Sequence, residues 1–119
     1  PSFLEKKINI CCKKFKVDIF KGNRMSHLLS TNSNKGIAIN ALKKYSNIQN
    51  IQIIGLGDSP NDLPLLLNSD IKIVIPGKDG PNLHLLDQLK DSQFTLATEP
   101  NGYGWKSEIN KLINNLELI

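Results

Sequence analysis

An α/β fold, with a parallel sheet flanked by helices, is what this sequence predicts, and three observations carry the prediction. Residues 51–56 and 71–75 are runs dominated by isoleucine, leucine and valine, short enough for strands and bounded by turn residues. The segments between and after them carry apolar residues at helical spacing. Pro60 stands where a helix would begin directly after the first run, so strand and helix alternate without a long connection. Strands apolar on both faces and separated by amphipathic helices are expected in a sheet covered on both sides.

Taken in order, residues 3–15 place Leu4, Ile8, Cys11, Cys12 and Phe15 on one face of a helix, with lysines over the remainder. Val17 and Ile19, then Met25, Leu28 and Leu29, flank Lys21-Gly22-Asn23, which predicts a β-hairpin. Thr31-Asn32-Ser33-Asn34 offers N-caps for a helix in which Ile37, Ala38, Ala41, Leu42 and Tyr45 repeat until Ser46-Asn47. After the strand at 51–56 come a short helix over 60–68, a strand at 71–75 and a helix at 81–90. A short strand at 94–97 and a closing helix at 104–116 complete the chain, the helix aligning Trp105, Ile109, Leu112, Ile113 and Leu116 on one face.

The 119 residues suffice for one domain or part of one, and 39% hydrophobic content supports a modest core. A net charge of +4 is dispersed along the chain, which suits an anionic small molecule and points to no nucleic-acid partner. No apolar run approaches a membrane span, so a soluble, cytoplasmic domain with no membrane partner is expected. Cys11 and Cys12 are sequence neighbours, a poor geometry for a disulfide, and are expected as buried thiols.

The chemistry is expected where the strand at 51–56 ends, because ligands of open α/β sheets gather at the carboxyl ends of strands. There the chain reads Gly55-Leu56-Gly57-Asp58-Ser59-Pro60-Asn61-Asp62. Two carboxylates and an amide within five residues offer the hard oxygen chemistry that Mg²⁺ prefers. The plainer reading is a turn with Asp58 or Ser59 as a helix N-cap. A dinucleotide fingerprint fails at Pro60, and a calcium loop fails at Pro60 and Leu63. Lys35, at the opening of the preceding helix, adds a cation where helix N–H groups already favour an anion.

The segment 57–62 resembles the fourth motif of haloacid dehalogenase (HAD) phosphatases of the Cof type, and 55–64 is similar to mannosyl-3-phosphoglycerate phosphatases. The resemblance implies a partial Rossmann-like HAD core over residues 31–119, with the end of an α/β cap over residues 1–30. It implies a Mg²⁺-dependent phosphatase whose substrate is a phosphorylated sugar or glycerate-type small molecule. By the same resemblance Asp58 is a direct Mg²⁺ ligand, Asp62 supports the metal, and Asn61 helps hold loop and phosphate. Asn34-Lys35-Gly36 resembles the third motif, whose lysine contacts nucleophile and phosphoryl group. Gly22-Asn23-Arg24-Met25-Ser26-His27 resembles the strand returning from the cap, which makes Arg24 and His27 substrate-contact candidates, although three-residue spacing sends them to opposite faces of a regular strand. His84 is expected as a partly buried helix residue and Trp105 as a core anchor.

These phosphatases also carry an Asp-x-Asp, whose first aspartate attacks phosphorus. None of the seven aspartates in this sequence stands two residues before another. The catalytic pair is therefore expected from outside the chain, and the expected partners are a second copy or a polypeptide supplying an N-terminal half. A non-catalytic binding or assembly module is the alternative.

Overall fold

A computed structural model describes residues 2–117 as two small sheets with five helices. Helix α1 (Phe3–Phe15) opens with a capping box: the Glu5 N–H donates to Ser2 Oγ, and the Ser2 N–H donates to Glu5 Oε2 at 2.8 Å. It ends at Lys16, in the left-handed region with φ 53°. Strands β1 (Val17–Lys21) and β2 (Ser26–Ser30) follow as an antiparallel hairpin with Ile19 opposite Leu28. One face of α1 rests on β1, and none of its residues is buried. Cys11 is exposed and Cys12 half-buried, so the buried-thiol expectation is corrected; among the described residues no layer beyond the hairpin buries any residue of the helix.

The second sheet is parallel, in the order β3 (Ile54–Gly57), β4 (Ile71–Val74), β5 (Thr95–Leu96). Around it lie α2 (Lys35–Tyr45), α3 (Leu63–Leu67), α4 (Leu83–Leu89) and α5 (Asn101–Glu117). Alternation along β4 sends Val74 into a cluster with Leu66, Leu85 and Leu89, and Ile73 into one with Ile75 and Ala97 that Leu56 and Leu112 flank. The sheet is thus covered on both faces. Each fully buried Leu or Val contributes about 1.5–3 kcal/mol of apolar burial.

Several elements are shorter than the sequence predicts, and for two of them the local cause is plain. The ladder of β3 begins only at Ile54, because the Ile53 N–H donates to Asp70 Oδ2 (2.8 Å) and the Ile53 carbonyl accepts from the N–H groups of Asp70 and Ile71. A carboxylate stands in for a neighbouring strand at that point. The helix expected at 60–68 is a 3₁₀ turn (Pro60–Asp62) followed by α3. Pro64 has no N–H to give the Pro60 carbonyl, so an α-helical ladder cannot run through.

Asn34 caps α2 by accepting from the Ile37 N–H at 3.0 Å. Its first turn lies against α3 at Gly36, where an added Cβ would stand 2.7 Å from the Pro64 carbonyl oxygen. This approach fixes where Lys35 points. Elsewhere the packing is open. Within the described residues β3 has a partner on one side only. Large apolar side chains stand exposed on α2 (Ile37, Leu42, Tyr45) and on α5 (Trp105, Ile113, Leu116). No helix among the described residues is long and apolar enough to cross a membrane.

Gly36→Ala should lower stability by about 1–3 kcal/mol in urea unfolding, because the clash with the Pro64 carbonyl outweighs the ~1 kcal/mol gain in helix propensity. An unchanged or raised midpoint would show that α2 does not pack this closely.

Candidate active site

The site forms where β3 ends. Gly57 closes the strand, Asp58 and Ser59 turn the chain, and the 3₁₀ turn returns Asp62 beneath the loop it has just left. Asp62 is almost enclosed, its side chain 8% exposed, and both its oxygens are engaged. Oδ1 accepts from Lys35 Nζ at the opening of α2. Oδ2 accepts from the N–H groups of Asp58 (3.0 Å) and Ser59 (3.4 Å). Only glycine fits at position 57, since a Cβ there would lie 2.5 Å from Asp62 Cβ. One buried carboxylate thus joins the lysine to the acidic loop.

Asp58 points outward. Burial of its carboxyl by the loop pushes its pKa above the ordinary value; hydrogen bonding and charge repulsion from Asp62 push the same way. The backbone N–H and the charge of Lys35 pull in the opposite direction. Oδ2 of Asp58 accepts from Asn23 Nδ2 at 2.9 Å. Asn61 is half-buried, its Oδ1 accepting from Ser59 Oγ.

Lys35, Asp58, Asn61 and Asp62 therefore lie in one hydrogen-bonded cluster or beside it. Arg24 and His27 remain on the hairpin: Arg24 is exposed in its turn, and His27 pairs across from Phe20 and packs over Gly22. His84 is exposed rather than partly buried, because it lies on the outer side of α4 from Leu85 and Leu89. Trp105 is not a core anchor in this chain. It is 52% exposed and lines a cleft of 410 Å³ with Leu56, Asp58, Ile75 and Asn101, since nothing in the described residues packs over that face of α5. Sequence reasoning missed Asn23 and Asn82. Asn23 falls in the predicted hairpin turn and Asn82 inside the helix predicted at 81–90, and their meeting across 59 positions leaves no local signal.

Among the described residues no three His, Cys, Asp or Glu side chains converge on a common point. The donor set nonetheless fits a hard cation that retains several waters. Asp58 presents an exposed carboxylate, and Mg²⁺ sites commonly use one or two carboxylates with the substrate phosphate completing them. Asp62, committed to Lys35 and two N–H groups, is placed to hold the loop beneath such an ion.

A parallel α/β sheet with an acidic loop and a lysine at the carboxyl end of a strand defines a Rossmann-like domain with its polar site in the expected place. The family model described as haloacid dehalogenase-like hydrolase matches residues 3–76, and the chain belongs to that family. Over 104 residues it is 35% identical to the glucosyl-3-phosphoglycerate/mannosyl-3-phosphoglycerate phosphatase of Persephonella marina, the match covering 83% of this chain and 36% of that protein. The chain thus spans little more than a third of the curated relative's length. No solved structure matches.

The raised pKa of Asp58 makes a prediction with a definite sign. Below the ordinary carboxyl value the group is protonated in folded and unfolded chains alike, and no penalty exists. As pH rises through the raised folded value, the folded state must ionise an unfavourable carboxyl and loses stability. Asp58→Asn should therefore raise the Tm at pH 7 in chelator-treated buffer, and the difference should vanish towards pH 3.5. A Tm gap independent of pH would mean that ionisation of Asp58 is not its cause.

Proposed function

We propose that this chain carries the metal-loop and lysine half of a Mg²⁺-dependent phosphatase site acting on a phosphorylated sugar derivative, with glucosyl- or mannosyl-3-phosphoglycerate as the specific substrate. The observation that carries the reading is the Lys35–Asp62–Asp58 arrangement, in which one buried carboxylate holds an ammonium and, through the loop backbone, an exposed carboxylate on the same rim of the sheet. The likeness to the Persephonella marina phosphatase supports the substrate class.

Each residue has a distinct task. Asp58, one of whose oxygens is taken by Asn23, would hold the cation. When bound, Mg²⁺ supplies positive charge to the phosphoryl oxygens as negative charge grows there. Lys35 supplies a second positive charge from the helix opening, and Asp62 fixes both the ammonium and the loop backbone so that neither must reorganise during reaction. Asn61, folded against Ser59, restrains the loop beside the phosphoryl position. Arg24 and His27, on the hairpin, serve substrate recognition at the cap side. The attacking group is an aspartate that this sequence does not contain; it displaces the leaving oxygen in line, and water then hydrolyses the resulting acyl phosphate.

The place for that aspartate is the open side of β3. The cleft lined by Leu56, Ile75 and Trp105 runs beside Asp58, and a strand laid there would satisfy the unpaired edge and cover the apolar face of α5. A polypeptide supplying that strand is the expected partner in the cytoplasm. Without it, the chain covers the same edge with a second copy.

The 119-residue chain alone should show no Mg²⁺-dependent phosphatase turnover. Adding a polypeptide with the Asp-x-Asp half should restore it, and Asp58→Ala should then reduce the rate at least ~100-fold. Efficient, Asp58-dependent hydrolysis by the chain alone would falsify the half-site reading. Light scattering at micromolar concentration should report a dimer or larger species. A monomer with slow amide exchange at residues 54–57 would show that the β3 edge is covered in some other way.

A further inference from the structure

The three residues Asn82, Asn23 and Asp58 form a hydrogen-bonded series whose direction is set at one end. Asn82 is the N-cap of α4, and its Oδ1 accepts from the Leu85 N–H at 3.0 Å. That bond turns the oxygen towards the helix, so it is Nδ2 of Asn82 that faces Asn23, and it donates to Asn23 Oδ1 at 3.0 Å. With its oxygen so engaged, Asn23 must present its own Nδ2 outward. That group donates to Asp58 Oδ2 at 2.9 Å. A backbone N–H on a core helix therefore dictates, through two amides, that a donor meets the exposed carboxylate.

We propose that Asn23 is a positioning residue for Asp58, oriented by Asn82, and that this relay ties the hairpin to the core at the carboxylate. Asn23 sits in the turn between β1 and β2, while Asp58 and Asn82 belong to the core loops after β3 and before α4. The hairpin also meets the core through Ile19 and Phe20, which line a hollow with Pro60, Leu63 and His84. The polar relay adds direction to that contact. Holding one oxygen of Asp58 fixes the carboxylate plane and leaves the other oxygen for a cation, the one-oxygen mode Mg²⁺ favours. This consequence rests on the proposed cation role of Asp58; the relay itself does not.

Asn82→Asp separates the two roles of that residue. An aspartate keeps the cap to the Leu85 N–H, but it sets an acceptor against Asn23 Oδ1. If the Asn23 amide turns over to meet it, its oxygen faces Asp58; if it does not, its bond to Asn82 is lost. Either way the donor to Asp58 is weakened, although residues 82 and 58 share no hydrogen bond.

The test follows the Asp58 side-chain carboxyl ¹³C resonance and Mn²⁺ binding by paramagnetic resonance in the full chain, Asn23→Ala, Asn82→Asp and the double variant. The expected result is that Asn82→Asp and Asn23→Ala both move the Asp58 resonance while the Leu85 amide keeps its exchange protection. Mn²⁺ should bind about two- to tenfold more weakly in each, with the double variant no weaker than Asn23→Ala. An Asp58 resonance indifferent to Asn82→Asp overturns the relay, and a moved resonance with unchanged Mn²⁺ affinity overturns the positioning role. If the unmodified chain and Asp58→Ala bind Mn²⁺ equally, the cation reading fails, and the carbon resonance alone then upholds or overturns the relay.

Discussion

The buried carboxylate of Asp62 is the constraint on which the rest of the site depends. It is drawn beneath its own loop because Gly57 leaves room for it, and it is held there by the N–H groups of Asp58 and Ser59 on one oxygen and Lys35 on the other. An ionised carboxylate in such a position needs all of these donors, since an unpaired buried charge is costly. Lys35 is half-exposed, so solvent screens the pair and its net contribution to stability is modest. Its larger effect is geometric. It ties the opening of α2 to the acidic loop after β3, close to where Gly36 packs against Pro64 of α3.

Asp58 follows from that arrangement. With Asp62 occupying the interior of the turn, the first carboxylate of the loop is forced outward, where burial on one side and a like charge beneath it both resist its ionisation. Such a group gains from any cation placed beside it, because an opposite charge favours the ionised form that burial resists. The hairpin supplies the remaining restraint. Asn23 reaches across from an element otherwise joined to the core by apolar contacts, so the polar and apolar parts of that interface are anchored at different points.

The architecture is asymmetric in how well it is finished. Leu66, Val74, Leu85 and Leu89 are sealed from water between the sheet and the helices α3 and α4. The opposite side is open among the described residues, with β3 paired along one edge only and large apolar residues of α2 and α5 facing solvent. That openness coincides with the cleft beside Asp58. The same openness accounts for the exposure of Trp105, which lines that cleft.

The alternation of strands and helices, the parallel sheet and the placing of the acidic loop at a strand end all follow from the order of the amino acids. These features are written in local periodicity and in single residues such as Asn34, Pro60 and Gly57, whose effects act within a few positions. The sequence also marked Lys35, Asp58, Asn61 and Asp62, because their order and spacing survive in one dimension. Which surfaces meet is a matter for the folded chain. Pro64 divided a predicted helix through a bond it could not make to Pro60, and Asp70 replaced a strand partner at Ile53. Cys11, His84 and Trp105, apolar or aromatic by type, lie outside the core because burial depends on whether another layer is present. The relay from Asn82 through Asn23 to Asp58 was illegible for the same reason: each asparagine has an ordinary local role, and the bond between them exists only because folding brings a hairpin turn and a helix cap to the same carboxylate.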